Sequence, residues 1–478
     1  MNGFAGRSLI AAMFSGALLV SGCMVGPDYK RPEMALPSTY KEAAPTDRAF
    51  ANQPWWELFA DKTLSTLIEE ALANNRDLGV AVSRINEAAA ILGVVRANQF
   101  PFLDAHASAG RSATSQSVTA GGTIENNFLL SGAASFELDF WGKLRRATEA
   151  ARADLLSSEA SARNVTISLI ASVGTSYFLL LDLDDRLRIS QRTLTSREES
   201  LAIIRARYAK GTVPELDVNQ AEIQAADAQA SVAVFERAVR QTENALSVLV
   251  GSRPRGIERP SGLAQQALPL EVPAGLPLDL LERRPDILAA EQQLASETAR
   301  IGVARARRLP SFSLTGNFGY ASRDLSDLID SNSQSWNLFG NMFAPIFNSG
   351  QLKSAEEAQR QRAEQARLSY EQAVLNGLRD VDDSLTALRT ARAEHVARLR
   401  QLEAARTAAR LSRARYDGGL VSYLEVLDSE RSLFQAELLE SQTHQQQLSG
   451  VVGLYRALGG GWPAAQAQAQ AQVQAKAR

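Results

Sequence analysis

The chain has 478 residues, a formal net charge of -2 at pH 7 and 22% charged side chains, a composition typical of a folded protein with about two or three ordinary domains. Its basic and acidic residues are interleaved rather than clustered, which does not favour nucleic-acid binding. The single cysteine, Cys23, excludes an internal disulfide and a cysteine-based metal site.

The N-terminal 22 residues have the features of a signal peptide. Arg7 is their only charge, and an apolar run over residues 9–20 is too short to span a bilayer. The motif Val-Ser-Gly-Cys at residues 20–23 resembles the lipobox of bacterial lipoproteins, in which the thiol of the cysteine, here Cys23, is acylated. Met24 follows, rather than the aspartate of an inner-membrane retention signal, which favours the outer membrane. No later segment has eighteen consecutive apolar residues, so we expect no transmembrane helix.

Three helices are predicted in the first half of the chain. The first runs from about Leu64 to Asn98, the second is a proline-free run from Lys143 to about Lys210, and the third runs from about Glu215 to Val250. A helix of about 68 residues rises about 100 Å, and the two shorter helices together rise about the same. The sequence therefore predicts that two short helices, end to end, lie alongside one long helix.

The same plan recurs in the second half of the chain. Tyr208 and Gly211 reappear as Tyr416 and Gly419, an offset of 208 residues, and "ANQFP" before the first strand region is matched by "RRLP" before the second. Three separate stretches keep this register, which indicates an internal duplication. The second copy predicts helices over Asp279–Arg308, Gln351–Asp417 and Tyr423–Leu458.

Four stretches alternate between apolar and polar residues, two in each repeat, as in strands with one apolar face. Such a pattern fits either a soluble sheet on a core or a transmembrane barrel. The residues on the apolar faces are Phe128, Leu130, Gly132, Ala134, Phe136, Leu138 and Phe140; Phe312, Leu314, Gly316, Phe318 and Tyr320; Trp336, Leu338, Met342 and Ile346; and, more weakly, Leu103, Ala105, Ala107 and Ala109 within Phe102–Arg111.

Four strands are too few to close a membrane barrel, since the smallest bacterial outer-membrane barrels have about eight. Unpaired strand edges in lipid cost several kcal/mol for each backbone group. If these strands cross a membrane, several chains must share one barrel, and the count alone leaves two, three or four chains open.

These features together resemble one family, the TolC-like outer-membrane factors, and most closely the OprM-like (NodT-type) lipoprotein branch of efflux systems. The residues that carry the resemblance are "GCMVGPDYKRP", "ELDFWGKLRR", "RRPDILAAEQQLASETARIGVARARRLPSFSLTGNFGY", "ARYDGGLVSYLEVLDSERSLFQAEL" and "LYRALGGGW". They spread over about residues 20 to 463. The alanine- and glutamine-rich tail lies outside the resemblance and is typical of low-complexity disorder.

The resemblance implies an α+β membrane protein, a homotrimer with a 12-stranded transmembrane β-barrel of four strands per chain. A long periplasmic α-helical barrel would continue it, and the chain would carry an internal two-fold repeat. The implied segments are a signal peptide (1–22), lipidated N-terminal segment and collar (23–63), helix (64–100), strand pair (101–141), helical hairpin (142–250), equatorial linker (251–278), second helix (279–309), second strand pair (310–349), second hairpin (350–458) and tail (459–478).

The implied function is a passive exit duct for drugs or other small molecules in the outer membrane of a Gram-negative bacterium. An inner-membrane pump of the RND type would drive export through a periplasmic adaptor. Alternatives are a duct of the same fold for type I protein secretion or metal efflux, and a non-channel lipoprotein that spaces the envelope. His106, His395 and His444 are scattered, and no nucleophile–base constellation is visible. We therefore expect no enzyme activity, no metal and no cofactor apart from the lipid on Cys23.

A gate is expected where the long helices turn. Glu425 and Asp428 are three apart on one helical face, and in a trimer they would form two acidic rings. By resemblance they match the family's gating acidic pair, while Asp428 and Arg431 match a pair that locks the closed tip. Tyr416 matches a tyrosine that bonds between neighbouring coils, with Asp217 as its partner. Spacing alone would equally describe Asp428 and Arg431 as an ordinary exposed ion pair.

Two glycine-containing turns are the remaining candidates. They are Gly211-Thr212-Val213 and Gly419-Leu420-Val421, in which glycine provides a positive φ. By resemblance the same residues line the grooves that accept the adaptor's hairpin tip. Val421 departs from the TolC pattern, which has a lock arginine there, and this puts one lock interaction in doubt.

Overall fold

The structure, a computed structural model, describes residues 24–40, 56, 59, 61–115, 124–266 and 280–460. The predictions on the signal peptide, on Cys23 and on the tail beyond residue 460 lie outside the described residues. So do parts of the expected collar and linker, at 41–55 and 267–279.

The described helices and strands follow the repeat. The first copy contains α1 (Lys62–Asn74), α2 (Arg76–Ala97), β1 (Phe102–Ala113), β2 (Ile124–Leu138), α3 (Lys143–Ala209) and α4 (Glu215–Leu249). The second copy contains α5 (Leu280–Arg283), α6 (Pro285–Ala306), β3 (Ser311–Ser322), β4 (Gln334–Phe343), α7 (Gln351–Asp417) and α8 (Tyr423–Ala457). The long helices α3 and α7 each have 67 residues, which confirms the two proline-free helical runs.

The first helix of each repeat is interrupted, so the expectation of one continuous helix over 64–98 and over 279–308 is wrong. Asn75 has extended backbone angles (φ -62°, ψ 132°), and its Oδ1 accepts a hydrogen bond from the Leu78 amide at 3.0 Å. In the second repeat Arg284 stands at the matching break, because a residue before proline is disfavoured in the helical region. The helix restarts at Pro285, a favoured first position.

The strands form one antiparallel sheet in the order β1-β2-β3-β4. Phe136 of β2 lies opposite Leu314 of β3, and Phe312 of β3 opposite Met342 of β4. The predicted alternation is confirmed, except that β2 ends at Leu138 and β4 at Phe343. Phe140 and Ile346, which we placed on the strand faces, therefore follow the strands. In the described sheet β1 and β4 are edge strands.

The apolar face of the sheet is largely uncovered by the other residues that the structure describes. Every residue of β1 and β4 is exposed. Trp336 is 75% exposed and Leu338 is 71% exposed. A soluble sheet would bury such residues against a core, so this face requires another apolar environment.

The described residues fall into two compact units, of which the first comprises residues 24–33, 83–115, 124–159 and 289–371. It contains the sheet and the helix segments next to it. The indole Nε1 of Trp141 donates to the Pro310 carbonyl at 2.7 Å. Arg31 forms two hydrogen bonds with Glu291, at 2.8 and 2.9 Å, which fix the N-terminal segment to α6.

The second unit comprises residues 34–40, 56, 59, 61–82, 160–266, 280–288 and 372–460. Its buried Asp61 caps α1 by accepting from the Thr63 and Leu64 amides. The other oxygen of Asp61 accepts from Tyr177 Oη at 2.9 Å and Gln266 Nε2 at 2.7 Å. Buried polar groups therefore join three segments that are distant in the sequence.

Two helices contain an 18-residue window that is long and apolar enough to cross a membrane. The windows lie in α2, with mean hydropathy 1.5, and in α3, with mean hydropathy 1.6. Our expectation of no such helix relied on uninterrupted apolar runs, and these windows tolerate isolated charges. Half of the α3 window is buried inside the chain, and 6% of the α2 window is. Length and composition alone do not assign either helix to a membrane, because core helices meet the same criterion.

Candidate functional site

The two helical tips close with the same turn geometry. Gly211 has φ +72° and Gly419 has φ +73°. The amide of Thr212 donates to the Arg207 carbonyl at 3.1 Å, and that of Leu420 to the Arg415 carbonyl at 2.9 Å. These are Schellman-type endings, in which a left-handed residue lets the amide after it satisfy a helix carbonyl. Both glycines face open space, so only their backbone angles require glycine.

A small apolar cluster lies behind the tips and joins three helices. It contains Leu201 and Ile204 of α3, Ala221 and Ala225 of α4, and Tyr423, Val426 and Leu427 of α8. Val213, one of the turn residues, packs against this cluster together with Val218 and Tyr416. The turns are thus supported from behind, while Leu420 is 74% exposed.

The expected lock pair is formed within the chain. Arg431 Nη2 donates to Asp428 Oδ1 at 2.6 Å, and both side chains are largely exposed. Glu425 does not stand free, because Arg415 Nη1 lies 3.1 Å from its Oε1. The sequence missed this second pair, whose partners are ten residues apart across the turn. An exposed pair of this kind contributes only about 0.2–1 kcal/mol to stability.

Tyr416 occupies a different environment from the one expected. Its hydroxyl is buried, and no hydrogen-bond partner for it lies within the described residues, so the expected bond to Asp217 is not formed in this chain. The ring packs against the Tyr423 ring at a tilt of 49°, with centroids 5.3 Å apart, and the Arg207 guanidinium lies 5.2 Å from the Tyr416 ring centroid. The Tyr423 ring and the Arg207 cation of the opposite repeat therefore hold Tyr416 in place.

A partly buried carboxyl, Glu430, lies behind the tip, and sequence reasoning missed it. Burial raises the pKa of Glu430, and the charges of Arg413 and Arg197 oppose the rise. Arg413 Nη1 lies 3.5 Å from Glu430 Oε1. Burial also raises the pKa of Tyr423 to about 12. At this tip α8 thus carries exposed charges on one side, and the buried Tyr423 and the partly buried Glu430 on the other.

The two repeats differ at the positions that were expected to form the gate. The 208-residue offset places Gln220 opposite Asp428 and Ile223 opposite Arg431 in the alignment of the repeats. Only the second repeat therefore has the charged lock pair. Asp217 of the first repeat stands where the second repeat has Glu425. In a trimer these residues would form one acidic ring in which Asp217 and Glu425 alternate.

The structure brings together two of the three histidines that looked scattered. The rings of His395 and His444 lie 5.3 Å apart between α7 and α8. Burial lowers the pKa of His444 to about 4, with a contribution from His395. Within the described residues no cluster of three or more His, Cys, Asp or Glu could hold a metal ion.

The sequence pattern of both repeats is that of one known protein family. The profile of the family "Outer membrane efflux protein" matches residues 67–252 and again residues 276–460. The chain belongs to this family. The double match also confirms the internal duplication, and membership places the protein in the outer membrane of a Gram-negative bacterium as part of an efflux system.

Curated relatives of this efflux-family chain cover nearly its whole length. It is 37% identical over 465 residues to the solvent efflux pump outer membrane protein SrpC of Pseudomonas putida, covering 94% of this chain and 97% of that protein. It is 34% identical over 456 residues to the cation efflux system protein CusC of Escherichia coli, covering 94% and 98%.

The fold is that of a solved outer membrane channel. The open-state structure of MtrE from Neisseria gonorrhoeae superposes with a TM-score of 0.84 at 31% identity, covering 92% of this chain and 98% of that one. The resemblance expected from the sequence is therefore confirmed, for the family and for the arrangement of strands and helices within one chain.

Proposed function

We propose that three copies of this chain form a passive export duct. The observation that carries the proposal is a four-stranded sheet with two unpaired edges and an exposed apolar face. In lipid such edges must be paired, and β4 of one copy beside β1 of the next closes a barrel. Three copies give twelve strands, and the exposed apolar side chains of α2, such as Val94, face a neighbouring helix.

The partners of the duct are a periplasmic adaptor and an inner-membrane pump of the RND type, which supplies the energy. The duct itself carries out no chemistry. Its cargo is small molecules, since relatives are named for solvent and for cation efflux. Cys23 is the lipidation site, supported by the lipobox pattern in the sequence. The mass of the mature N-terminal peptide checks this modification.

The gate is the second tip, where Glu425, Asp428 and Arg431 are exposed on α8. Reconstituted wild-type trimers are expected to give small single-channel currents in planar bilayers. Asp428→Ala with Arg431→Ala removes the 2.6 Å pair, leaves the fold intact because the pair is exposed, and is expected to raise conductance several-fold. The repeat-one positions provide the control, since Gln220→Ala with Ile223→Ala removes no charge pair and should leave conductance low.

Two negative results would have different meanings, one for the gate and one for the channel. Currents that stay small in the double alanine variant would show that the pair is not a lock. No currents from any correctly assembled trimer would refute the channel itself.

The adaptor binds at the two turns, Gly211-Thr212-Val213 and Gly419-Leu420-Val421. Gly211→Val with Gly419→Val is expected to abolish co-purification with the adaptor, because both glycines need a positive φ and a β-branched residue there costs roughly 1–2 kcal/mol per site. Gly418→Val is the matched control, since Gly418 is not among the positive-φ glycines. Adaptor binding and efflux equal to wild type in the double variant would contradict this contact.

A further inference from the structure

A partly open cavity of about 180 Å³ lies where the strands of the first unit meet its helices. It is bordered by the end of β2 and start of α3, by the end of α6 and start of β3, and by the end of β4. Its apolar lining includes Phe140, Trp141, Leu309, Pro310, Phe343 and Pro345. The Trp141 indole is fixed by its bond to the Pro310 carbonyl, so this lining is preformed.

The charged groups around the cavity leave one cation uncompensated. Glu137 is paired with Lys143. Asp139 accepts from the Leu144 and Arg145 amides at 2.9 and 3.0 Å and so caps α3. Arg307 also lines the cavity, and no carboxylate among the described residues forms an ion pair with it.

The duplication shows that the local fold does not need this cation. In the first repeat, two backbone hydrogen bonds close the turn after α2. The Gln99 amide donates to the Arg96 carbonyl and the Phe100 amide to the Ala97 carbonyl, each at 3.0 Å. In the second repeat the Arg308 amide donates to the Arg305 carbonyl and the Leu309 amide to the Ala306 carbonyl. The first repeat has Asn98 where the second has Arg307. One turn geometry thus forms with or without the charge, which points to a ligand rather than to folding.

The location defines the kind of ligand. The strands of an outer-membrane protein cross the lipid, so the end of the strands on the helix side lies at the periplasmic leaflet, which consists of phospholipids. Tryptophan and basic side chains are characteristic of this interface. Leu138 and Phe140, on the apolar side of the sheet, are 39% and 46% exposed there and can contact hydrocarbon directly.

We propose that this cavity binds a glycerophospholipid of the periplasmic leaflet. The Arg307 guanidinium and the Lys143 ammonium contact the phosphate, and the acyl chains run along Leu138 and Phe140, which lie on the apolar side of the sheet. A guanidinium suits a phosphate because it can donate two parallel hydrogen bonds. The cavity has room for about six water molecules at roughly 30 Å³ each, so it takes the headgroup region and leaves the chains outside.

Native mass spectrometry of the full-length, detergent-purified protein tests the site by titration with dioleoylphosphatidylglycerol. Wild type is expected to retain the lipid. Arg307→Asn, which takes the residue of the first repeat, is expected to bind about tenfold more weakly or worse, the effect of losing a charge-assisted hydrogen bond. Arg305→Asn is the matched control: it removes a charge from the same helix end but does not line the cavity, and should bind as wild type does.

Further variants and a second ligand keep the test decisive. Arg307→Lys keeps the charge and should retain most of the binding. Lys143→Gln, the residue of the second repeat at this position, alters the opposite side of the cavity and should weaken binding even if Arg307→Asn assembles poorly. Equal binding by Arg307→Asn and wild type, an equal loss in Arg305→Asn, or full displacement of the lipid by equimolar inorganic phosphate would each overturn the proposal.

Discussion

Gly319→Ala is expected to abolish assembly of the protein in the outer membrane. Gly319 lies in β3 opposite Ser131 of β2. A Cβ there would lie 2.3 Å from the Leu130 carbonyl oxygen and 2.5 Å from Ser131 Cα, and a backbone cannot yield as a flexible side chain does. The β2–β3 ladder joins the strand pairs of the two repeats, and separating it would leave unpaired backbone groups in lipid at several kcal/mol each.

The measurement is the amount of heat-modifiable oligomer in outer-membrane fractions. Gly316→Ala is the matched control on the same strand, because its Cβ would meet Leu338 Cδ1 at 3.4 Å and the Asn337 carbonyl at 3.6 Å, which are ordinary contacts. The control should assemble at the level of wild type. Wild-type amounts of oligomer from Gly319→Ala would show that the two strands are not so closely paired.

Much of this fold could be predicted from the sequence, because the spacing of apolar residues indicates helices and strands directly. The two 67-residue helices and the four alternating strands have strong patterns over long stretches. The break before Pro285 had a visible signal in the proline itself, which we passed over. The break at Asn75 had none, since asparagine occurs both inside helices and at their ends. It is stabilised by a contact distant in the sequence, from Asn75 Nδ2 to the Leu249 carbonyl at 2.9 Å.

The candidate site was predictable only in part, for a similar reason. The turns and the Asp428–Arg431 spacing are local, so the sequence contains them. The contact of the Tyr416 ring with Tyr423 and Arg207 depends on which helix ends meet in space, and no local pattern specifies that. The cavity at the strand–helix junction likewise combines three separated segments, and only the comparison of the two repeats draws attention to Arg307.

Arg284 is expected to be the most important single side chain for the stability of the second unit. It is buried, and it follows α5 at the break in the second repeat. It binds Asp286 through Nε at 3.0 Å and through Nη2 at 2.6 Å, Asp380 at 3.1 Å and the Ala457 carbonyl at 3.0 Å. One guanidinium thus joins α6, α7 and the end of α8.

Hydrogen bonds to neighbouring carboxylates keep the Arg284 side chain protonated. Burial alone would lower the pKa of Arg284, but its hydrogen bonds to Asp286 and Asp380 raise it. Burial alone would raise the pKa of Asp380, and its bonds from Arg379 and Arg284 lower it. The side chains therefore remain charged at neutral pH, and removing the cation leaves two carboxylates facing each other.

Arg284→Met is expected to lower the free energy of unfolding by about 2–3 kcal/mol, because Arg284 is buried but its partner carboxylates are 32% and 33% exposed, which reduces the roughly 3–5 kcal/mol usual for a fully buried ion pair. Methionine preserves most of the apolar length, so the loss reports the charge and hydrogen bonds rather than a cavity. Urea unfolding of the detergent-solubilised protein, followed by the loss of heat-modifiable oligomer, measures it. Arg379→Met is the matched control, since Arg379 binds the same Asp380 but is 63% exposed, and should cost about 0–1 kcal/mol.

A further substitution tests the reason for the loss. With Arg284→Met in place, Asp380→Asn removes one of the facing carboxylates and is expected to restore part of the lost stability, because much of the penalty is an uncompensated charge. In the wild-type background the same Asp380→Asn change should destabilise, since it removes a partner of Arg284. Additive losses in the double variant would mean that Arg284 acts through packing alone, and that the ion pairs at the helix break contribute little.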